Sequence, residues 1–148
     1  MFSPKRTKYR KYQKGVGGAI KGVCSNNTQL GFGRYGLKAI QAGRLSARTI
    51  ETVRRTITRK LRRTGQIWIR VFPDLPVTKK PSEMRMGKGK GKLSSWVSRV
   101  EAGQILFEID GAPLQLAKQA ADLAYFKLPL KTVFVCVKRL SRHNQSRV

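Results

Sequence analysis

Six consecutive residues, Gly31-Phe32-Gly33-Arg34-Tyr35-Gly36, carry the G-x-G-x-x-G spacing that brings a backbone close to a dinucleotide pyrophosphate. That chemistry needs a strand before the glycines, a helix opening among them and an acidic residue about 20 positions on. Here the preceding residues are polar, and Glu51 arrives too early and inside a helical pattern. A glycine-bearing strand that admits an RNA backbone fits these residues better. A second run, Met86-Gly87-Lys88-Gly89-Lys90-Gly91-Lys92, invites a phosphate-loop reading. The Walker spacing fails, because Lys92 stands where the second glycine is required. Alternating Gly and Lys still suits phosphate, since glycine admits close approach and each lysine neutralises a charge. The same composition also suits a solvated linker.

Catalytic groupings are thin. His143 lies in a basic tail with Ser141 two residues before it and no carboxylate near to orient it. Glu108 and Asp110 share one side of a strand pattern, which is also how a surface strand reads. Without a base and its orienting partner, no residue is assigned a catalytic role and the chain is not expected to be an enzyme. Cys24 and Cys136, far apart and with a single His in the chain, cannot assemble a zinc site and read as structural thiols of a reducing compartment. No metal or cofactor is expected.

Charge is the dominant signal. The 148 residues hold 32 Lys plus Arg against 7 Asp plus Glu, a net of +25. Residues 1–92 carry +21 of it and residues 93–148 carry +4, so the first part is the electrostatic footprint. Such a charge on a compact chain implies a polyanionic partner. Hydrophobic residues at 40% allow a modest core, which excludes wholesale disorder. No apolar run is long enough for a membrane span, and the start lacks the apolar region of a secretory signal.

The elements that must position these residues are few. A helix is expected after the N-cap Ser46 and to end near Gly65, with Ile50, Val53, Ile57 and Leu61 on one face. Arg48, Arg55, Arg59 and Arg62 gather opposite, along roughly 20 Å of axis. A second helix is expected from Pro113, in its first turn, to about Lys127, faced by Leu114, Leu116, Ala117, Ala120, Ala121, Leu123 and Ala124. Strands are expected at Gln66–Phe72, Ser95–Val100, Gln104–Ile109 and Lys131–Val137, with another within Phe32–Ile40. Glu101-Ala102-Gly103 reads as a hairpin between the middle two. The pattern gives an α+β fold with a mostly antiparallel sheet. It divides into a basic N-terminal arm (1–29), one domain (30–137) containing a loop over 73–92, and a basic tail (138–148).

An all-cationic helix face costs stability unless an anion answers it. A membrane would want bulky apolar residues beside the cations, whereas those of this helix are committed to the core. No helix-turn-helix, finger or basic-zipper pattern is present, and Gly/Lys loops suit irregular folded RNA better than duplex DNA. Tyr9 and Tyr12, between Lys8, Arg10 and Lys11, either stack on bases or anchor the arm to the domain.

Two segments are highly specific. Arg63-Thr64-Gly65-Gln66-Ile67-Trp68-Ile69-Arg70-Val71-Phe72-Pro73 and Arg85-Met86-Gly87-Lys88-Gly89-Lys90-Gly91, with Trp96 beyond, resemble the signatures of the large-subunit ribosomal proteins called L-sixteen in bacteria. Pro4-Lys5-Arg6-Thr7-Lys8, Phe32-Gly33-x-Tyr35-Gly36-Leu37, Gly43-Arg44-Leu45-Ser46 and Glu108-Ile109-Asp110-Gly111 also fit, and the likeness runs to about Val135. The chain departs from the family around Val23–Leu30, which is longer, at Lys92, and in the tail beyond Cys136. Trp96–Glu108 is closer to mitochondrial members, while the Ser3-Pro4 start and Phe32–Tyr35 are closer to plastid ones.

The resemblance implies an α+β structural protein of the large subunit, near the aminoacyl-tRNA site, that joins late in assembly. It implies ribosomal RNA contacts from Lys5, Arg6, Lys8, Arg10, Lys11, Lys14, Arg34, Arg44, Arg48, Arg62, Arg63 and Arg70. It implies that Arg54, Arg55, Arg59, Arg85, Met86, Gly87, Lys88, Gly89 and Lys90 face tRNA or the peptidyl-transferase region. Its partners would be ribosomal RNA, tRNA in the aminoacyl and peptidyl sites, and neighbouring large-subunit proteins, with no homo-oligomer. The expected location is an organellar ribosome, mitochondrial ahead of plastid. The alternative is a sequence-nonspecific nucleic-acid chaperone outside the ribosome.

Overall fold

The computed structural model of the chain describes residues 2–13 and 23–137. In chain order the elements are β1 (Tyr35–Ala39), β2 (Gly43–Ser46), α1 (Ala47–Lys60), β3 (Gln66–Ile69), β4 (Leu75–Lys79), β5 (Lys92–Val100), β6 (Ile105–Asp110), α2 (Leu114–Tyr125) and β7 (Thr132–Cys136). They form a four-stranded sheet, ordered β3-β6-β1-β7, and a three-stranded sheet, ordered β2-β5-β4. Every strand pair is antiparallel. The α+β expectation holds, with two sheets in place of one.

β6 is the spine. Ile105, Leu106, Phe107, Glu108 and Ile109 are all fully buried, so both faces of this strand are covered. An apolar run of that kind is what a central strand needs. Leu37, Ala39, Leu45, Val71, Val100 and Leu130 complete the core with the inward face of α1. That face is the one the periodicity predicts: Ile50, Val53 and Ile57 at 0% exposure and Leu61 at 1%.

Ser46 caps α1 as expected, its Oγ accepting from the Thr49 N–H at 3.1 Å. The helix ends at Lys60, before the expected limit, because Arg62 and Arg63 take positive φ of 50° and 64°. Gly65 then turns the chain into β3. In α2 Pro113 is the N-cap, not a first-turn residue, and its carbonyl accepts the first helical bond from Ala117 N–H at 2.9 Å. Ala117, Ala120, Ala121 and Ala124 are buried, and α2 packs closely on α1, β1 and β7. Leu114 and Leu123, expected on the same face, lie exposed.

Two expectations are corrected. The stretch 73–92 contains a strand, β4, paired with β5 from Leu75↔Val97 to Lys79↔Lys92. Its prolines read as loop, yet β4 is an edge strand, the position in a sheet that tolerates proline. The Gly/Lys segment is thus the tip of a β4–β5 hairpin. Glu101–Gly103 is not a hairpin turn, because β5 and β6 lie in different sheets. Gly103, at φ 90°, turns the chain from one sheet to the other, and its N–H donates to Ala39 O at 2.7 Å. Cys24 is buried and Cys136 exposed, both as free thiols. No described helix is long and apolar enough to cross a membrane.

Close packing of the α2 alanines leaves no room for bulk. Ala120→Leu should destabilise the domain by about 1–3 kcal/mol. The exposed neighbour Gln119→Leu should change it by less than about 0.5 kcal/mol in urea unfolding.

Candidate nucleic-acid interface

One buried charge positions the first glycine motif. The Glu108 carboxylate accepts from the N–H groups of Gly31 (3.1 Å), Phe32 (2.7 Å) and Gly33 (2.8 Å). Arg70 closes the ring of donors with an ion pair to the same carboxylate, and its other amino group donates to Asn27 Oδ1 at 2.8 Å. Burial alone would raise the pKa of Glu108. The N–H groups of Gly33, Phe32 and Gly31, followed by Arg70, outweigh it and hold the carboxyl below its usual range. The glycine is obligatory at position 33, because a Cβ there would lie 2.6 Å from Ile109 O. The glycine motif is therefore an anion cradle that the protein fills with its own carboxylate.

Arg70, expected on RNA, is turned inward by this pairing, with its side chain 17% exposed. Arg34, also expected there, stays exposed but is bonded to Asp110 at 2.8 Å. The N–H of Gly111 lowers the pKa of Asp110 most, and Arg34 adds to that against a desolvation cost.

Of the helix face expected, Arg55, Arg59 and Arg62 group around the C-terminal half of α1, whereas Arg48 lines a separate hollow beside Phe2. Arg54, Arg55, Arg59, Arg62 and Arg63, with Thr58, line one open groove. The helix supplies some of its own counter-charge, which the all-cationic reading of that face missed. Glu51 accepts from Arg54 Nη2 at 2.7 Å and from Arg55 Nε at 2.8 Å. Those bonds, Arg54 first, hold Glu51 at a pKa of about 2. Arg48, Arg59, Arg62 and Arg63 form no ion pair with a described carboxylate. Arg44 is exposed on β2.

The arm and the hairpin tip, separate in sequence, are brought together. Lys11 Nζ donates to Lys90 O at 3.0 Å, and Lys90 Nζ returns a bond to Tyr12 O. Arg99 of β5 lies 5.4 Å from the centre of the Tyr12 ring, which favours the anchoring role for that tyrosine. Tyr9 is 70% exposed, with Lys8 over its ring. Lys5, Arg6 and Arg10 are exposed along the arm, and Lys14 lies outside the described residues.

At the tip, Gly87, Lys88 and Gly89 take positive φ of 100°, 52° and 80°, a left-handed run that the two glycines make affordable. Lys80, absent from the expected site, ties this run down by donating to Gly87 O. Arg85 is exposed, and Met86 is 97% exposed. Arg99 and Lys80 carried no motif in the sequence; only the hairpin register places them beside the arm and the tip.

Residues 4–135 match the family model of ribosomal protein L16p/L10e. The chain belongs to this family. Curated relatives of similar length agree. The protein of Rhodospirillum centenum named large ribosomal subunit protein uL16 is 57% identical over 91% of this chain and 94% of its own length. That of Prototheca wickerhamii, named large ribosomal subunit protein uL16m, is 58% identical over 91% and 98%. That of Azorhizobium caulinodans, named uL16, is 54% identical over 91% and 96%. Membership of L16p/L10e makes the chain a structural ribosomal component rather than an enzyme. The resemblance read from the two signature segments is thereby shown.

The buried pair sets a stability prediction. Glu108→Gln keeps the shape but leaves Arg70 and three N–H donors without their anion, and should cost about 3–5 kcal/mol in urea unfolding. The folded pKa of Glu108 lies below the unfolded one. Its contribution is therefore fully present above the usual carboxylate range and drains away as pH falls through the folded value. The wild type should lose stability over that acid range more steeply than the Gln variant.

Proposed function

We propose that the chain is a constituent of the large ribosomal subunit, in which it binds ribosomal RNA and helps shape the aminoacyl-tRNA site. The observation that carries this reading is the arginine groove at the end of α1, in which Arg54 and Arg55 share the single carboxylate of Glu51 and Arg59, Arg62 and Arg63 have none among the described residues. A surface of that kind is stabilised by polyphosphate. The arm, Lys5 to Lys14, threads between RNA segments, and Arg48 and Arg44 extend the contact. Arg54, Arg55 and Arg59 face RNA that includes the tRNA elbow. The hairpin tip, Arg85 to Lys90, reaches toward the peptidyl-transferase region, and the protein joins late in assembly.

The compartment proposed is an organellar ribosome, mitochondrial ahead of plastid. It is supported by the Trp96–Glu108 segment and by the relative named uL16m. The bacterial relatives match about as well, so fractionation decides the compartment. Purified organelles and cytosol are separated on sucrose gradients after a high-salt wash and probed for the chain. A peak with the organellar large subunit supports the reading. Signal confined to the light fractions would leave a free nucleic-acid chaperone in its place.

Two variants separate the parts. Arg55→Ala with Arg59→Ala should weaken ribosomal RNA binding and reduce its salt slope by about one per lost phosphate contact. Unchanged affinity and slope in filter binding would refute the role of the groove. Deleting Met86–Gly91 removes residues of the exposed tip and should leave the unfolding midpoint of the domain in place while impairing tRNA accommodation in reconstituted ribosomes. An unfolded deletion variant would make the tip structural instead.

A further inference from the structure

The glycine motif holds one residue that neither the core nor the cationic groove accounts for. Phe32 is 61% exposed, yet its backbone and ring both have fixed partners. Its N–H is bonded to buried Glu108 at 2.7 Å, between the bonds from Gly31 and Gly33. Its ring stacks on Trp68 with centroids 6.0 Å apart and planes 16° from parallel. The Arg70 guanidinium, itself fixed by Glu108 and Asn27, lies 5.0 Å from the ring centre. The neighbours Gly31 and Gly33 carry no side chains, so nothing adjacent in sequence shields the ring.

An exposed aromatic ring is not unusual by itself, and what distinguishes this one is the set of partners that hold it. A ring that is backed by a second aromatic, flanked by a cation and locked at its backbone is a preorganised stacking surface. With the ring held by these contacts, a flat ligand loses little to ordering it. Arg34, two residues on, keeps a side chain that is 60% exposed while paired with Asp110.

We propose that Phe32, backed by Trp68 and Arg70, is a stacking platform for one unpaired RNA base. This deepens the RNA-binding reading and rests on it. Duplex nucleic acid keeps its π-faces internal, whereas single-stranded loops and bulges offer them, and the face of any base is acceptable. The platform thus selects for structure in the RNA, a splayed nucleotide, more than for sequence.

The test uses the full chain and a short oligouridine RNA carrying one 2-aminopurine, whose fluorescence is quenched on stacking. Wild type should bind and quench. Phe32→Leu, which still covers Trp68 but has no π-face, should lose most of the quenching and bind about ten-fold more weakly. Phe32→Tyr should retain both. The salt slope should be the same for all three, since no cation is removed. Quenching by Phe32→Leu equal to wild type overturns the platform and leaves the arginine groove standing. Wild type that neither binds nor quenches overturns the RNA-binding reading as well. Zero-length ultraviolet cross-linking of native particles needs no variant. A nucleotide adduct on Phe32 or Trp68 is expected, and adducts confined to the arm and α1 overturn the proposal.

Discussion

The fold turns on a carboxylate held where water cannot reach it. Glu108 sits at 0% exposure in the middle of β6, the strand with both faces covered. An ion in that position is tolerated only because four groups converge on it, three of them backbone N–H and one a guanidinium. Those donors come from the Gly31–Gly33 segment and from the end of β3, so one charge pins the approach to β1 and the exit from β3 to the central strand. The two aromatic residues outside it, Phe32 and Trp68, are brought face to face by the same attachment.

The rest of the charge is managed differently. In α1, Glu51 relieves the repulsion between Arg54 and Arg55 within the helix itself, and the neighbouring Arg59, Arg62 and Arg63 have no ion pair with a described carboxylate. At the arm and hairpin tip, Lys11, Lys80 and Lys90 bond to backbone carbonyls. A neutral acceptor fixes an ammonium in place without cancelling its charge. The tip and arm are therefore ordered relative to each other while the field they present stays positive. Membership of a ribosomal-protein family gives that field its natural counterpart.

Much of this was legible in the residues. The 3.6-residue pattern of Ile50, Val53, Ile57 and Leu61 located α1 and its buried face, and Ser46 marked its start. The α2 alanines and the five expected strands, found as β1, β3, β5, β6 and β7, were legible from their local pattern, whereas β2 and β4 were not. What escaped depends on pairing between distant residues. β4 was hidden by Pro76, since sequence does not reveal that a strand will lie at an edge. The partition into two sheets was hidden by a short connection that mimics a hairpin. Glu108 carried a signal that went unused: a lone charge in the apolar run Ile105–Ile109 asks for buried partners, and Arg70 with the glycine motif supplied them. The groove was legible as a helix face, but its Arg63 contribution required the left-handed turn after Lys60.

The sheet order also dictates when the chain can fold. β1 pairs with β6 and β7, and β3 pairs with β6 among the described residues. Both early strands therefore wait for partners encoded in the last third of the chain. Such non-local closure is slow compared with helix formation. During synthesis the strongly cationic N-terminal part leaves the exit tunnel well before the segment that can seal its core. For that interval it is an unfolded polycation among polyanions, and its completion as a domain is tied to the emergence of β6 and β7.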